Sequence, residues 1–439
     1  MATELKSGEA QEADVMDLAH DGRGIARIDG KTVFVDGALP TERVRLRVFK
    51  RRRTFDEAVL VEILAASPDR VNPRCAHFGV CGGCSLQHLS PAAQLAAKQR
   101  QLLDNLQRIG HVKPRQVLEP VRGPAFGYRR RARLGVKYVH KKGRVLAGFR
   151  ERQKPYIAEL RRCEILIERF ATLPEDLAAL VGELSIRDRV PQVEVAAGDA
   201  TAALVFRVMD PPSAEDLERL ERFGRDQGVS IYLQRGGLDT ITPLGSAAPL
   251  SYTVDGGRVT LEFGPADFIQ VNRPVNVAMI DAAMQLLQPS PADRVLDLFC
   301  GLGNFTLPIA RRAGRVVGVE GDRTLVDKAR ANAARNGIGN ADFCLDNLFE
   351  PAGFGPWASG PFDLMLLDPP RAGALAIMER IAQWAPKRVV YISCHPGSLA
   401  RDAGILIETK GFQLVGAGVM DMFPHTAHVE SIAVFERGA

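Results

Sequence analysis

The sequence predicts an α/β protein in which a small N-terminal β-barrel and a β-rich middle region precede an open, doubly wound sheet. Apolar runs of strand length alternate with helical patterns through residues 275–439, a rhythm typical of a mostly parallel, Rossmann-like sheet. Residues 12–64 instead alternate apolar and polar positions between Asp-Gly turns, which predicts the short strands of an OB-like barrel. A chain of 439 residues is too long for one core. We therefore predict three domains, at 1–70, 71–265 and 266–439.

The strongest local signal is the stretch Val295–Phe305. Its apolar run passes through Asp297 and opens into a turn at Gly301 and Gly303 before a helical pattern, as in a strand, ligand loop and helix. Glycines at a helix start let backbone N–H groups approach a ligand. A second apolar run ends at Glu320, 23 residues after Asp297, where a carboxylate accepts hydrogen bonds from a ribose. The loop lacks the third glycine of a dinucleotide site and the Gly-Lys-Ser/Thr of a triphosphate site, so neither ligand is favoured.

Three polar motifs border strands of the same predicted sheet. They are Asp368-Pro-Pro-Arg-Ala-Gly373, Ser393-Cys-His-Pro396 and Phe423-Pro-His-Thr-Ala-His-Val-Glu430. Cys394 follows a buried strand in a polar turn, so that its thiolate faces the ligand crevice; it is our candidate nucleophile. Glu430 precedes an apolar strand and is partly desolvated in this interpretation, which suits a general base.

Four of the seven cysteines form a set of metal-ligand type: Cys75, Cys81, Cys84 and Cys163. The first three lie within ten residues of a Gly- and Pro-rich loop, and the fourth stands 79 residues further along. Such a set holds zinc or an iron–sulfur cluster, and the spacing does not distinguish the two. Unrelated reduced thiols are the alternative. Cys300 and Cys344 lie in core-like runs and are expected to be packing residues.

The net charge is only +5, but the cations are clustered. Arg45–Arg53, Arg129–Arg133 and Lys137–Arg152 are basic runs, and the last two lie in a stretch where aromatic residues interleave with arginine. This pattern favours an RNA surface on exposed strands, with an ordinary solvated face as the alternative. No window approaches 18 uncharged apolar residues and no secretory signal opens the chain, so we expect a cytoplasmic protein without a membrane span.

Taken together, the motifs resemble those of the RNA uracil-C5 methyltransferase family. The matching segments are Phe268-Ile-Gln-Val-Asn272, Asp297–Phe305 and the three polar motifs above. The resemblance spans essentially the whole chain and implies methylation of uridine C5 through a covalent Cys–C6 adduct. The N-terminal barrel looks like a TRAM domain. Together with the four cysteines, it favours the family members that act on 23S ribosomal RNA, because the transfer-RNA enzymes usually lack both.

The resemblance also implies a role for individual residues. S-adenosylmethionine contacts fall on Gln270, Phe299, Asn304, Glu320, Asn347 and Asp368. A [4Fe-4S] cluster falls on Cys75, Cys81, Cys84 and Cys163, the nucleophile on Cys394 and the base on Glu430. One position departs from the family, which usually has Asn where this chain has His395. We expect a monomer, and the alternatives are a transfer-RNA uracil-C5 methyltransferase and an RNA-binding factor without activity.

Overall fold

The computed structural model describes residues 10–350 and 354–438. The first residues of the N-terminus, residues 351–353 and Ala439 lie outside the described part of the chain. Two compact units are present, and each is described by itself. No helix in the described residues is long and apolar enough to cross a membrane.

The first unit contains residues up to Gln101, Arg150–Tyr156 and Phe423–His428. Its five strands are β1 (Gln11–Leu18), β2 (Gly24–Ile28), β3 (Lys31–Asp36), β4 (Arg43–Arg51) and β5 (Phe55–Ala65). They close into a barrel in the order β1-β2-β3-β5-β4, which confirms the predicted barrel. The turn from β2 to β3 has Asp29 and Gly30 at φ 48° and 78°, the conformation that two-residue hairpins prefer.

The core of the barrel consists of alanine and valine side chains together with Leu46; the valines are Val15, Val33, Val35 and Val44. Along β3 and β4 buried positions alternate with more exposed ones, which is the period-2 pattern of a half-buried sheet. Helix α1 (Pro91–Arg108) begins in this unit and continues into the second.

The second unit contains two large sheets. One has six strands in the order β12-β11-β10-β9-β7-β8, with helices α2 (Leu173–Gly182) and α3 (Ala214–Gln227). Its strands are β7 (Arg131–Val139), β8 (Arg144–Gly148), β9 (Gln192–Ala197), β10 (Ala202–Arg207), β11 (Ser230–Gln234) and β12 (Ile241–Leu244). A separate hairpin of β13 (Leu250–Val254) and β14 (Val259–Phe263) follows it along the chain.

The other sheet has eight strands in the order β17-β16-β15-β18-β19-β21-β20-β6. They are β6 (Gln116–Val117), β15 (Arg294–Leu298), β16 (Arg315–Glu320), β17 (Ala341–Leu345), β18 (Leu364–Leu367), β19 (Arg388–Ser393), β20 (Phe412–Met420) and β21 (Glu430–Arg437). The pairs among β15 to β19 are parallel, whereas β21 is antiparallel to both of its neighbours. This confirms the predicted doubly wound α/β sheet. The edge strand β6 comes from a segment far upstream that sequence patterns did not connect with this sheet.

Five helices connect the strands of this sheet: α4 (Arg273–Leu287), α5 (Thr306–Ala310), α6 (Arg323–Arg335), α7 (Leu375–Arg380) and α8 (Pro396–Lys410). Three of them begin with a side-chain cap, supplied by Asn272, Asp322 and His395. Each of these caps lies at the edge where the parallel strands end, because a helix in such a connection runs back from that edge. The starts of these helices and the ends of the parallel strands therefore lie at the same end of the sheet.

Candidate active site

The glycine loop after β15 turns sharply because three of its residues have left-handed backbone angles. Phe299, Gly301 and Gly303 have φ values of 65°, 54° and 91°. A Cβ on Gly301 would meet no heavy atom within 4 Å, whereas one on Gly303 would lie 3.1 Å from Leu307 Cγ. The loop is thus open at Gly301 and packed at Gly303. The Gly301 N–H donates to Glu320 Oε2 at 3.0 Å, which joins the ends of β15 and β16.

Glu320 is held in one orientation by backbone donors. Its Oε1 accepts hydrogen bonds from the N–H groups of Gly321 and Asp322 at 2.7 and 3.1 Å, and its Oε2 accepts the one from Gly301. A carboxylate has about four acceptor sites, so one remains on Oε2 for a ligand hydroxyl. Beside it, the Phe299 ring lies 5.7 Å from the ring of Phe349, half of which is exposed. Phe349 was missed at the sequence level because it lies in a loop without periodicity.

Asn304 is engaged by a network that the sequence did not indicate. Its Oδ1 accepts hydrogen bonds from Tyr252 Oη and Asn276 Nδ2, both at 3.1 Å, and its Nδ2 donates to Asn276 Oδ1 at 3.0 Å. The Arg130 guanidinium lies 4.5 Å from the centre of the Tyr252 ring and donates to the Gln270 carbonyl at 3.1 Å. Two residues that the resemblance assigns to the cofactor are thereby held by one buried assembly.

The remaining expected cofactor residues lie at the same edge of the sheet. Asn347 is exposed just beyond β17, and its Nδ2 donates to Glu350 at 2.8 Å. Asp368 directly follows β18, and its N–H donates to the Leu298 carbonyl at 3.3 Å. The structure therefore gathers the side chains that follow β15 to β18 around one edge, as the sequence predicted.

Cys394 and Glu430 are neighbours across a strand pair. In the antiparallel register of β19 and β21, Ser393 lies opposite Ser431. Cys394 and Glu430 each lie one residue beyond this pair, in the direction of the edge that carries the glycine loop. Directly opposite residues of antiparallel strands have Cβ atoms roughly 5 Å apart. Because β21 runs antiparallel, its first residue reaches the edge at which the parallel strands end.

Burial and the charges of neighbouring carboxylates raise the pKa values of two aspartates at this end of the sheet. Burial raises the pKa of Asp297 to about 7, although Thr306 Oγ1 donates to its Oδ2 at 2.5 Å. Burial, followed by the charges of Glu430 and Asp297, raises the pKa of Asp368 to about 8. Asp297 Oδ1 makes no hydrogen bond within the described residues. A concentration of buried carboxylates suits a cationic ligand.

The thiol of Cys394 is also shifted. Burial, followed by the charges of Glu430 and Asp368, raises its pKa to about 11, and the charge of Arg371 acts in the opposite direction. At neutral pH the side chain therefore rests as a thiol. Burial also raises the pKa of Cys300, well above its usual value, and that of Cys344. Neither lies in a polar turn like that of Cys394.

Helix α8 anchors the loop that follows Asp368. Asp402, which is fully buried, accepts hydrogen bonds from the Ala374 N–H at 2.7 Å and from Tyr391 Oη at 2.6 Å. Arg401 pairs with this carboxylate and donates to the Ala372 carbonyl at 2.9 Å. A Cβ on Gly373 would lie 2.7 Å from atoms of both Arg401 and Asp402, so glycine is required there. The loop is consequently fixed to the helix that starts beside Cys394.

The basic run Arg129–Arg133 differs from its predicted role. Arg130 is only 2% exposed. Arg131 donates to the carbonyls of Pro265 and Ala266 at 2.8 Å, and it shares Glu194 with Arg133. The interpretation of this run as an exposed RNA surface is wrong for Arg130 and Arg131. Arg130 is buried against the Tyr252 ring and the Gln270 carbonyl, and the Arg131 guanidinium bonds to partners inside its own unit.

In the barrel, part of the basic run Arg45–Arg53 is neutralised. Arg45 pairs with Glu12 and Glu62 at 3.1 and 2.5 Å on the outer face. Arg51 and Arg53 are exposed near the turn from β4 to β5. The cations available to a phosphate backbone are therefore at this turn rather than along the strand.

The three clustered cysteines lie in a loop made of tight turns. The Cys75 N–H donates to Gln87 Oε1 at 3.1 Å, and the Gly83 N–H donates to Cys81 Sγ at 3.4 Å. Cys84 follows in the same loop and is partly buried. Cys163 belongs to the second unit, where it is buried and its N–H donates to the Ala171 carbonyl. No disulfide involves any of the seven cysteines, and the described ranges contain no group of three or more His, Cys, Asp or Glu side chains arranged to hold a metal.

Comparison with known proteins gives matches over most of the chain. The family model described as tRNA (Uracil-5-)-methyltransferase matches residues 91–345 and 358–438, and the TRAM domain model matches residues 4–61. The chain is 53% identical to the 23S rRNA (uracil(1939)-C(5))-methyltransferase RlmD of Methylococcus capsulatus, over 97% of this chain and 96% of that protein. It is also 53% identical to the protein of the same name from Alkalilimnicola ehrlichii, over 98% and 97%.

One solved structure is similar over almost the full length. It is the tRNA (uracil-54, C5)-methyltransferase of Pyrococcus abyssi in complex with S-adenosyl-L-homocysteine, with a TM-score of 0.74 and 23% identity. The match covers 96% of this chain and 99% of that one. At this identity the likeness shows a shared fold.

The raised thiol pKa predicts how Cys394 reacts in the free protein. Alkylation by iodoacetamide should be slow at pH 7.5 and should rise about tenfold per pH unit until near pH 11, because the thiolate is the reactive form. Glu430→Gln removes a nearby negative charge and should accelerate labelling at pH 8 several-fold. The rates are measured by mass spectrometry of the Cys394 peptide.

A matched control for this experiment is Glu436→Gln. Glu436 lies in the same strand but pairs with Arg388 at 2.6 Å, so its loss should leave the Cys394 rate unchanged. A rate that levels off below pH 9, or equal effects of the two substitutions, would contradict the described electrostatics.

Proposed function

We propose that this chain, which belongs to the RNA uracil-C5 methyltransferase family, methylates C5 of a uridine in 23S ribosomal RNA. S-adenosylmethionine is the methyl donor. More than half of its residues are identical to those of proteins named for this reaction, over nearly the full length. The single structural observation that carries the proposal is that Cys394 and Glu430 each lie one residue beyond the Ser393–Ser431 pair, at the end of the sheet that holds the glycine loop. The names of the relatives specify uracil 1939, and we propose the equivalent uridine.

The chemistry requires a nucleophile because C5 of uracil is too electron-poor to take a methyl group unaided. Cys394 Sγ, once deprotonated, adds to C6, and the C5–C6 π electrons become those of an enolate. C5 then attacks the methyl carbon of the sulfonium; the new C5–CH3 bond forms as the S–CH3 bond breaks, and the neutral thioether leaves. Glu430 removes the C5 proton, and the returning electron pair expels the Cys394 thiolate. The location of both residues at the same end of neighbouring strands supports this assignment.

The edge of the sheet suits S-adenosylmethionine in charge and in shape. The sulfonium is a cation, and Asp297 and Asp368 are carboxylates whose pKa values of about 7 and 8 fall when a positive charge approaches. We assign ribose binding to Glu320, whose orientation is fixed by three N–H donors. Phe299 and the exposed Phe349 offer apolar ring surface for the adenine.

The other residues assigned to S-adenosylmethionine differ in which of their groups are available to bind it. The backbone carbonyl of Gln270 accepts a hydrogen bond from Arg130, so its side-chain amide remains for a ligand. Asn304 has its Oδ1 and one N–H engaged by Asn276 and Tyr252, so we propose that it acts through its second N–H or its backbone. Asn347 is exposed beyond β17 and completes the set.

For the four cysteines we propose a [4Fe-4S] cluster held by Cys75, Cys81, Cys84 and Cys163. The donor set fits a cluster chemically, and the N–H···S hydrogen bond from Gly83 to Cys81 is a contact that stabilises thiolate ligands. When bound, the cluster would act as a structural tie between two segments distant in sequence. We also propose that the protein works in the cytoplasm as a monomer, which light scattering would show as a mass near 47.8 kDa.

The function is tested by labelled methyl transfer to 23S ribosomal RNA and, separately, to transfer RNA. We expect label in 23S RNA alone, in the fragment that contains the equivalent uridine. Cys394→Ala should lose at least about 10²-fold in rate. Glu430→Gln should transfer one methyl group and then stop as a covalent protein–RNA complex that survives denaturing gels.

Controls for this assay are Cys344→Ala and Glu436→Gln, which leave the proposed pair intact and should retain activity. Label in transfer RNA would favour the transfer-RNA enzyme as the function. Binding of RNA without any transfer by the wild type would favour an RNA-binding factor.

If the proposed [4Fe-4S] cluster is bound, the purified protein is expected to be coloured. Anaerobic purification should give brown material with broad visible absorption and about four iron and four sulfide per chain. Cys81→Ser should reduce the iron content, whereas Cys344→Ser should not, because Cys344 lies outside the set. Colourless protein with one zinc per chain would overturn the proposal.

From the exposed arginines near the turn from β4 to β5 we predict a salt-dependent contact with RNA. Replacing Arg51 and Arg53 by Ala should weaken RNA binding and reduce the slope of log K against log salt by roughly one per lost phosphate contact. Arg45→Ala is the matched control, because its guanidinium already pairs with Glu12 and Glu62. Equal slopes for wild type and the double variant would show that the turn is only a solvated surface.

A further inference from the structure

The position where this chain departs from its family has a defined structural role. His395 is the N-cap of helix α8, with an extended backbone at φ −145° and ψ 101°. Its Nδ1 accepts a hydrogen bond from the Ser398 N–H at 3.1 Å. A backbone N–H can only donate, so Nδ1 carries no proton in this arrangement and the ring proton is on Nε2. The imidazole thus replaces the side-chain oxygen that a capping residue normally provides.

The backbone of His395 is fixed as well. Its N–H donates to Ser393 Oγ at 3.1 Å, and its carbonyl accepts from the hydroxyls of Ser393 and Ser398 at 3.1 and 3.0 Å. Ser431 Oγ in turn donates to the Ser393 carbonyl at 3.3 Å. The residues on both sides of Cys394 are therefore fixed, one by the neighbouring strand and the other by the start of α8.

Helix α8 also holds the loop that follows Asp368, through Asp402 and Arg401. A helix that frays at its first turn would release the Cys394 turn first, because the cap is the link between them. Asn is among the preferred N-cap residues and histidine is not, so an imidazole at this position has to adopt one tautomer to serve as a cap.

We propose that His395 is a positioning residue for Cys394: its Nδ1 caps helix α8 and thereby holds the nucleophile in the orientation required for attack on C6. This inference rests on the proposed function, in which Cys394 is the nucleophile. It assigns His395 the capping role that an asparagine side chain can supply at the same position. The ring is exposed, and a direct contact with RNA is the competing role that the experiment separates.

The test measures the rate of covalent adduct formation with RNA that carries 5-fluorouridine at the target position, in a single turnover with saturating S-adenosylmethionine. Fluorine cannot leave as a cation, so the complex accumulates and reports attack and methyl transfer without the later steps. His395→Ala should slow adduct formation roughly tenfold, because a misplaced nucleophile loses orientation. The dissociation constants for RNA and S-adenosylmethionine should stay within about twofold of wild type, since neither ligand is bound through the cap.

Rescue distinguishes the cap from other roles. His395→Asn and His395→Ser restore a capping oxygen and should return the rate to within about threefold of wild type. If His395→Ala does not fold, His395→Asn against His395→Gln gives the same comparison, because the longer glutamine side chain is a poor cap. An RNA contact would instead raise the RNA dissociation constant in all these variants, and rescue would fail.

Two results would overturn the inference: a wild-type adduct rate in His395→Ala, or equally slow rates in His395→Ala and His395→Asn. Failure of the proposed function gives a different pattern. In that case Cys394→Ala would still form an adduct, or the wild type would form none, whatever residue occupies position 395.

Discussion

The structure of the candidate site depends on one register, the antiparallel pairing of β19 with β21. In a fully parallel sheet, the residues after each strand lie at one edge and the residues before each strand lie at the other. A final strand that runs backwards brings its first residue, Glu430, to the edge that otherwise collects strand ends. Cys394 and Glu430, 36 positions apart in the sequence, become neighbours through this reversal. A one-residue slip would turn the side chains of β21 to the opposite face and separate the pair.

The same crowding explains the electrostatics of the site. Burial is the main cause of the raised pKa values of Asp297, Asp368 and the Cys394 thiol. The charges of Glu430 and Asp297 add to the shift of Asp368, and the charges of Glu430 and Asp368 add to that of Cys394. Such an arrangement is unfavourable for the free protein. Because the folded pKa values of these carboxyl groups are raised, stability falls as the pH rises from the unfolded-state pKa of about 4 to the folded-state values of about 7 and 8. In the proposed reaction, a bound sulfonium would offset this negative charge and favour the Cys394 thiolate. Binding of the methyl donor and formation of the proposed nucleophile would then act in the same direction.

Sequence patterns predicted the parts of this protein that depend on local periodicity and turn chemistry. The barrel, the alternation of strands and helices, the glycine loop and the positions of the motifs at strand ends all follow from residues near one another in the chain. The contacts that sequence reasoning missed join distant residues. Tyr252 and Asn276 reach Asn304 from two other elements, and β6 pairs with β20 from about 300 residues upstream. Arg130 was expected to be a surface cation but is buried. A local sequence pattern does not show which distant residues pack over a side chain.

The most direct test of the central claim is to identify the protein atom that bonds to the target base. Wild-type protein is trapped on 23S RNA that contains 5-fluorouridine at the target position, digested with protease and nuclease, and sequenced by mass spectrometry. The account predicts one modified peptide, with a methylated fluorouridine attached to Cys394. Attachment at Cys300 or Cys344, or methylated RNA without any covalent protein–RNA species, would contradict it.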